Sequence, residues 1–271
     1  MSAHLLRRFG SLLPAIVLMA ALTLPQHAGA AQSESTQEST DPVQDITLAI
    51  GSLNPITFQR ASLQTLSRSY IKLTGVDLSD DHLIDDFALI NYCNIYQQYF
   101  SDEFSWRQAR EAFRRVIQRE LESYPENLYL LGSISIGRYD FDKKAFLLPG
   151  DSKFERTGQF RFYDRNFSCG RAGVSQLPLY YNFVLTNPVT LDRIQIPEDK
   201  AFSITRIMDQ EQNVDRKVYV SYFLRVIDFN SQRGNAVSIN TRATVRATLL
   251  SMRLYLDRAR KILIYEYTGN N

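Results

Sequence analysis

Histidine is almost absent from this chain of 271 residues. The three present are His4, His27 and His82. The first two fall in a segment that reads as a cleaved leader, so His82 alone is left to the mature protein. That excludes any site built on two or more imidazoles, the two-histidine zinc helix included. It also leaves a Ser-His-Asp or Cys-His arrangement a single candidate base. Cysteine is as scarce, with Cys93 and Cys169 the whole supply. Charge of one sign is missing too. The chain carries 31 basic and 29 acidic residues. Cleavage after Ala30 removes Arg7 and Arg8 and no acid, which leaves the mature chain formally neutral. Nucleic-acid binding needs an excess of Lys and Arg, so no nucleic-acid partner is expected. Long apolar runs are lacking as well. A membrane-spanning helix needs about 20 apolar residues, and the longest run, Leu12 to Leu24, has thirteen. No transmembrane segment is expected in the mature chain.

That short run belongs to an export signal. Arg7 and Arg8 form a positive n-region, Leu12 to Leu24 the apolar core, and Ala28-Gly29-Ala30 a small-residue cleavage site. No cysteine follows the cut, so the lipid anchor of exported bacterial lipoproteins has no attachment point. Arg7-Arg8-Phe9 only begins the twin-arginine consensus, which favours general secretion. The signal has a bacterial style, which points to the periplasm, with release outside the cell as the alternative. Residues 31–45 are polar, and Ser-Glu-Ser-Thr is echoed by Gln-Glu-Ser-Thr. Such a stretch cannot bury enough surface to offset its ordering entropy, so it reads as a disordered tether. The domain reading is therefore a cleaved signal peptide over 1–30, a tether over 31–45, a helical region over 46–125 and an antiparallel β region over 126–271. Residues 46–271 are expected to form one compact unit.

Within 46–125 the apolar period is that of a helix. Asn54 and Pro55 suggest a start, Leu63, Leu66, Tyr70 and Leu73 recur at helical spacing, and Gly75 is a natural stop. A second helix is expected from Ser79 through Phe87, Ile90, Ile95 and Tyr99, apolar on more than one face and so central. A third begins near Ser105, where Ser105 and Gln108 have capping-box spacing. It carries the stripe Trp106, Ala109, Phe113, Val116, Ile117 and Leu121, and Pro125 ends it.

From residue 128 the period becomes two. Leu128 to Ile136, a strand pair around Asp142-Lys143-Lys144, Gln159 to Tyr163, Leu179 to Leu185 and Val218 to Val226 all alternate as strands do. Another strand runs from Val237 and Ile239 onward. Its apolar positions are odd up to Leu249 and even from Leu250 to Leu256, a slip that predicts a β-bulge near residues 249–250. Ile262 to Tyr267 returns as a closing strand. Pro197 and Glu198 open a short inserted helix with Ala201, Ile204 and Met208 inward. The fold class is α+β, with about three N-terminal helices packed on a mostly antiparallel sheet or sandwich. Regular βαβ alternation is absent, which argues against a nucleotide-type parallel sheet.

Cys93 and Cys169 are expected to form a disulfide in an oxidising compartment. Closing that loop is worth roughly 4 kcal/mol in the chain-entropy model. The alternative is two unpaired thiols, with Cys93 buried in a helix.

Four constellations are candidates for chemistry. Asp80, Asp81, His82, Asp85 and Asp86 could gather a cation or orient a histidine base. Acids in a first helical turn also complement the helix dipole, worth about 0.3–1 kcal/mol each, and that reading is preferred. Ser69-Tyr70-Ile71-Lys72 matches the Ser-x-x-Lys nucleophile motif. Its Lys-Thr-Gly and Ser-Asp-Asn partners are missing, and the stretch Gly132 to Gly137 misses the Gly-x-Ser-x-Gly register. Arg107, Arg110 and Arg114 lie along one line of the third helix, with Arg115 and Arg119 nearby. They offer a basic strip, unless Arg107–Glu111 and Glu111–Arg115 pairs hold a solvated face. The β region is rich in aromatics, among them Phe160, Phe162, Tyr163, Tyr180, Tyr181, Phe183, Tyr219, Tyr222 and Phe223. Tyr180 and Tyr181 must point to opposite sides of a strand, so one face can offer an aromatic surface while the other packs a core. Asn166-Phe167-Ser168 is a glycosylation acceptor only in a eukaryotic route, which the signal does not favour.

No catalytic set, cofactor site or metal site emerges. The expectation is a non-enzymatic exported bacterial envelope protein. It would bind an envelope protein, an anionic lipid headgroup or an acidic glycan through the basic helix face (Arg107, Arg110, Arg114) or the aromatic sheet face. On the helix-face version, charge reversal at Arg110 and Arg114 should abolish binding and leave the melting temperature nearly unchanged. The alternatives are a hydrolase of envelope glycan or peptide using paired acids, and a structural assembly subunit.

Overall fold

The computed structural model describes residues 46–48, 56–150, 158–164, 167, 169, 176–189, 191–232 and 242–269. The signal peptide, the tether, Asn54, Pro55, Asn166, Ser168, Val237 and Ile239 lie outside the described residues.

The fold is α+β. Two strands, β1 (Ile46–Leu48) and β2 (Ile56–Arg60), precede the helices α1 (Leu63–Thr74), α2 (Asp81–Asn91), α3 (Cys93–Tyr99) and α4 (Glu103–Glu120). Then come β3 (Asn127–Ser135), β4 (Tyr139–Asp140), β5 (Ala145–Leu147), β6 (Gln159–Tyr163), β7 (Tyr180–Leu185) and β8 (Arg193–Gln195). Helix α5 (Glu198–Gln210) is inserted before the long strands β9 (Lys217–Gln232) and β10 (Arg242–Tyr255), and β11 (Leu263–Thr268) closes the described chain.

Local chemistry sets the helix limits. Ser62 caps α1, its hydroxyl accepting from Thr65 N at 3.1 Å while the Thr65 hydroxyl accepts from Ser62 N at 2.8 Å. Gly75 ends the helix at φ 58°, a left-handed conformation that suits glycine. The start expected at Asn54-Pro55 is therefore corrected: Ile56–Arg60 is a strand, held by pairing with β1 and β3. The start expected at Ser79 moves by a residue: Asp80 is the N-cap of α2, its carboxylate accepting from His82 N at 2.9 Å, and Asp81 is the acid of the first turn. That helix does not continue to Tyr99. It breaks at Tyr92, whose ring packs against Phe87 and Phe113 at 5.8 and 5.1 Å. Ile95 and Tyr99 then sit on the separate α3 and are partly exposed. Asp102, rather than Ser105, caps α4, its carboxylate accepting from Phe104 N and Ser105 N.

The main sheet runs β1-β2-β3-β9-β10-β7-β6, and β4-β5-β8 form a small second sheet. Pairing is mostly antiparallel, with β2–β3 and β7–β10 parallel. Strand β10 has two partners on one side. Its first half pairs with β7, its second with β11, and the switch falls at Leu250. Leu249 opposes Leu224 and Ser251 opposes Phe223, so Leu250 is the extra residue of a bulge, where the phase slip placed it. Strand β9 carries a compensating bulge at Ile227, between the pairs Ala247–Val226 and Arg246–Asp228. One extra residue on each strand keeps the rest of the ladder in register.

Helix α1 packs on β9, and α2 and α4 join it in the same core. Leu66, Ile84, Phe87 and Ile117 join Phe183, Tyr222, Leu224, Val245 and Leu254 in one core, and Tyr70 meets Phe229 edge to face at 5.4 Å. Ile194, Ile196, Ala201, Ile204 and Met208 extend that core under the small sheet and α5. A second, smaller cluster of Phe58, Tyr129 and Phe223 lies apart from it, with Leu131 and Leu250 packed against it. Cys93 and Cys169 are bonded, tying the start of α3 to the chain beyond β6. Among the described residues no helix is long and apolar enough to cross a membrane.

Candidate ligand-binding site

The alternation of β6, Gln-Phe-Arg-Phe-Tyr, sends Phe160 and Phe162 toward the core and Gln159, Arg161 and Tyr163 to the other face. In β7, Tyr181, Phe183 and Leu185 are buried, while Tyr180, Asn182 and Val184 face outward with β6's polar set. In β10, Ala243, Val245 and Ala247 go inward and Arg242, Thr244 and Arg246 outward. Register then aligns these outward residues in rows. Tyr163 opposes Tyr180, which opposes Arg242. Arg161 opposes Asn182, which opposes Thr244.

The first row is a stack of planar groups. The Tyr163 and Tyr180 rings lie 5.2 Å apart and 7° from parallel. The Arg242 guanidinium carbon lies 6.0 Å from the Tyr180 centroid, a cation–π contact. Together with the second row they line a recess of about 510 Å³. Arg246, one row on, is neutralised by Asp228, with contacts of 2.9 and 2.5 Å. Among the described residues neither Arg161 nor Arg242 has a carboxylate partner. The recess therefore combines stacked phenols, two uncompensated guanidiniums and the neutral hydrogen-bonding groups of Gln159, Asn182 and Thr244. Its lining among the described residues carries no acid and no histidine.

The basic strip of α4 has a different occupation. Arg110 donates to Asp85 through Nε at 2.6 Å and Nη2 at 2.7 Å, and to Asp81 through Nη1 at 3.0 Å. Trp106 Nε1 donates to the same Asp85 at 2.8 Å. The Asp85 hydrogen bonds hold the Arg110 guanidinium above its usual pKa, against the effect of burial. Arg114 pairs with Asp81 and, at 2.6 Å, with Glu111, and its Nε donates to Leu78 O at 2.9 Å. Arg110 and Arg114 thus clamp α4 to the start of α2 and are not an open strip. Arg107 is exposed and has no ion pair among the described residues. Glu111 bonds Arg114, in place of the Arg107 and Arg115 pairs that spacing suggested.

The acidic cluster is spent on the same work. Asp80 caps α2, while Asp81 and Asp85 bind arginines. Asp86, buried, accepts from Gln176 N at 2.6 Å and Leu177 N at 2.9 Å. Among the described residues no group of His, Cys, Asp and Glu is placed to hold a metal ion. Ser69 and Lys72 do not meet as nucleophile and base. The Ser69 hydroxyl donates to Pro125 O and Thr65 O, and Lys72 binds Glu126 and the carbonyl of Glu122. Gly137 sits where its amide reaches Leu147 O at 2.6 Å, an approach that a Cβ would obstruct.

The aromatics divide as a strand requires. Phe160, Phe162, Tyr181, Phe183 and Tyr222 belong to the core, Phe223 to the smaller cluster, and Tyr163 and Tyr180 to the recess. Burial pushes the Tyr181 phenol well above its usual pKa. Arg161 and Arg242 were missed by sequence reasoning. The available signal was alternation: a charged residue between Phe160 and Phe162 has to face away from them.

The fold is α+β, with a polar and aromatic recess on the outer face of a mixed sheet. Residues 79–205 match the family described as "Domain of unknown function (DUF4852)". That stretch includes both cysteines, Arg161, Tyr163 and Tyr180, while Arg242 lies beyond it. No curated protein and no solved structure matches the chain.

Proposed function

We propose that this is an exported, non-enzymatic envelope protein that binds a ligand on the aromatic outer face of its sheet. The observation that carries the reading is the row Tyr163, Tyr180 and Arg242 beside Arg161, two cations without a carboxylate partner among the described residues, next to stacked phenols. A guanidinium with no carboxylate partner among the described residues can give its hydrogen bonds to a ligand without first breaking an ion pair, and those charge-assisted bonds offset the cost of desolvating it. The helix face is the weaker candidate, because Arg110 and Arg114 are already saturated by Asp81, Asp85 and Glu111. Export, with the periplasm as destination, rests on residues 1–30 and agrees with the Cys93–Cys169 bond.

The test is co-sedimentation of purified protein with isolated envelope material. Wild type and Arg107→Glu should sediment equally, and a Tyr163→Ala, Tyr180→Ala variant should stay in solution while keeping its circular dichroism and melting temperature. Undiminished sedimentation of the folded tyrosine variant would overturn the assignment of the surface.

A further inference from the structure

We infer that the ligand of this recess is a glycan chain bearing carboxylates, an inference that rests on the binding role proposed for the sheet face. Three features of the lining select it. A phenol ring presents flat apolar surface to the C–H face of a sugar and a hydroxyl to its polar edge, and Tyr163, partly exposed at 43 %, stands parallel to Tyr180, which backs it and in turn carries the Arg242 guanidinium. Gln159, Asn182 and Thr244 supply neutral donors and acceptors at the spacing of adjacent strands, which suits the alternating hydroxyls of a sugar. Arg161 and Arg242 supply planar forks that match carboxylates bidentately.

The geometry also sets the size of the ligand. Arg161 and Arg242 are two strands and two residues apart in register. At about 4.8 Å between strands and about 3.4 Å per residue, their Cα atoms stand about 12 Å apart. That is wider than one sugar ring, so the site suits an oligomer over a monosaccharide. Two other classes fit less well. A lipid tail would want an apolar channel, and among the described residues the outward side chains that line the recess are polar or phenolic. A nucleic acid would call for an excess of basic charge, and the mature chain has none.

The experiment is titration calorimetry of the full mature chain with three probes: a short oligogalacturonide, an uncharged galactan oligomer of the same length, and oligothymidylate. Wild type should bind the acidic oligomer at least tenfold more tightly than the neutral one, and more tightly than the nucleotide. Arg161→Gln with Arg242→Gln should erase the preference for acid, and Tyr180→Ala should weaken both sugars. Equal binding of the two sugars, tighter binding of oligothymidylate, or an acid preference untouched by the arginine substitutions would each overturn the inference. If no sugar binds while envelope sedimentation still depends on Tyr163 and Tyr180, the glycan assignment falls and the binding face stands. If sedimentation does not depend on them, the binding face itself falls.

Discussion

Arg110→Ala should destabilise the protein even though residue 110 lies on a helix surface. Arg110 makes two charge-assisted hydrogen bonds to Asp85, and the two side chains are only 24 % and 14 % exposed. Such bonds are worth about 1.5–3 kcal/mol each. Breaking a fully buried pair by removing one partner costs about 3–5 kcal/mol, because a charge is left without compensation. Partial exposure lowers that figure, and the Asp81 arm, 53 % exposed, adds little. The result is a loss of about 3 kcal/mol. For a protein of this size that is a fall in melting temperature of roughly 6–12 °C. Arg110→Glu should cost more, because it sets a third carboxylate against Asp81 and Asp85. The assay is thermal unfolding by calorimetry, in a double-mutant cycle with Asp85→Ala. A coupling energy of about 1–3 kcal/mol is expected. A melting temperature unchanged by Arg110→Ala, or a coupling near zero, would refute the clamp and restore Arg110 to an open basic face. Binding on the sheet should persist in the variant well below its melting temperature.

Three further outcomes follow from the packing. Replacing Cys93 and Cys169 with Ala should cost about 4 kcal/mol through the 76-residue separation they close, and dithiothreitol should reproduce the loss in wild type but not in the variant. Tyr181→Phe should be neutral or stabilising by up to about 1 kcal/mol, because its buried hydroxyl has no hydrogen-bond partner among the described residues; a clear loss of stability in denaturant titration would show that the hydroxyl is bonded. Burial pushes the Tyr124 phenol up to about 12 from an ordinary value of 10.0. The unfolded phenol ionises first, so stability is intact below pH 10 and declines as pH rises from 10 through about 12. Tyr124→Phe should flatten that part of the alkaline profile, and an unchanged profile would mean that Tyr124 ionises as freely in the folded protein.

The residue order by itself determined much of what repeats over neighbouring side chains. The change of period at residue 128, the inward set of α5, the closing strand near Ile262 and the opposite facing of Tyr180 and Tyr181 were all legible. So was the bulge at Leu250, because a one-residue slip moves every later side chain to the other face and leaves a visible change of phase. Long-range partnership was not legible. Ile56–Arg60 is a strand because Gln59 and Arg60 pair with Leu128 and Tyr129, and no local signal announces that contact. The arginines of α4 look free on a helical wheel, since nothing in a wheel places Asp81 and Asp85 of α2 across from them. Arg161, Tyr180 and Arg242 line one recess only because β7 lies parallel to β10 and antiparallel to β6. Periodicity is written in consecutive residues, where sterics and burial act locally. The choice of partner is made by the free energy of the whole packed core, and only the tertiary structure displays it.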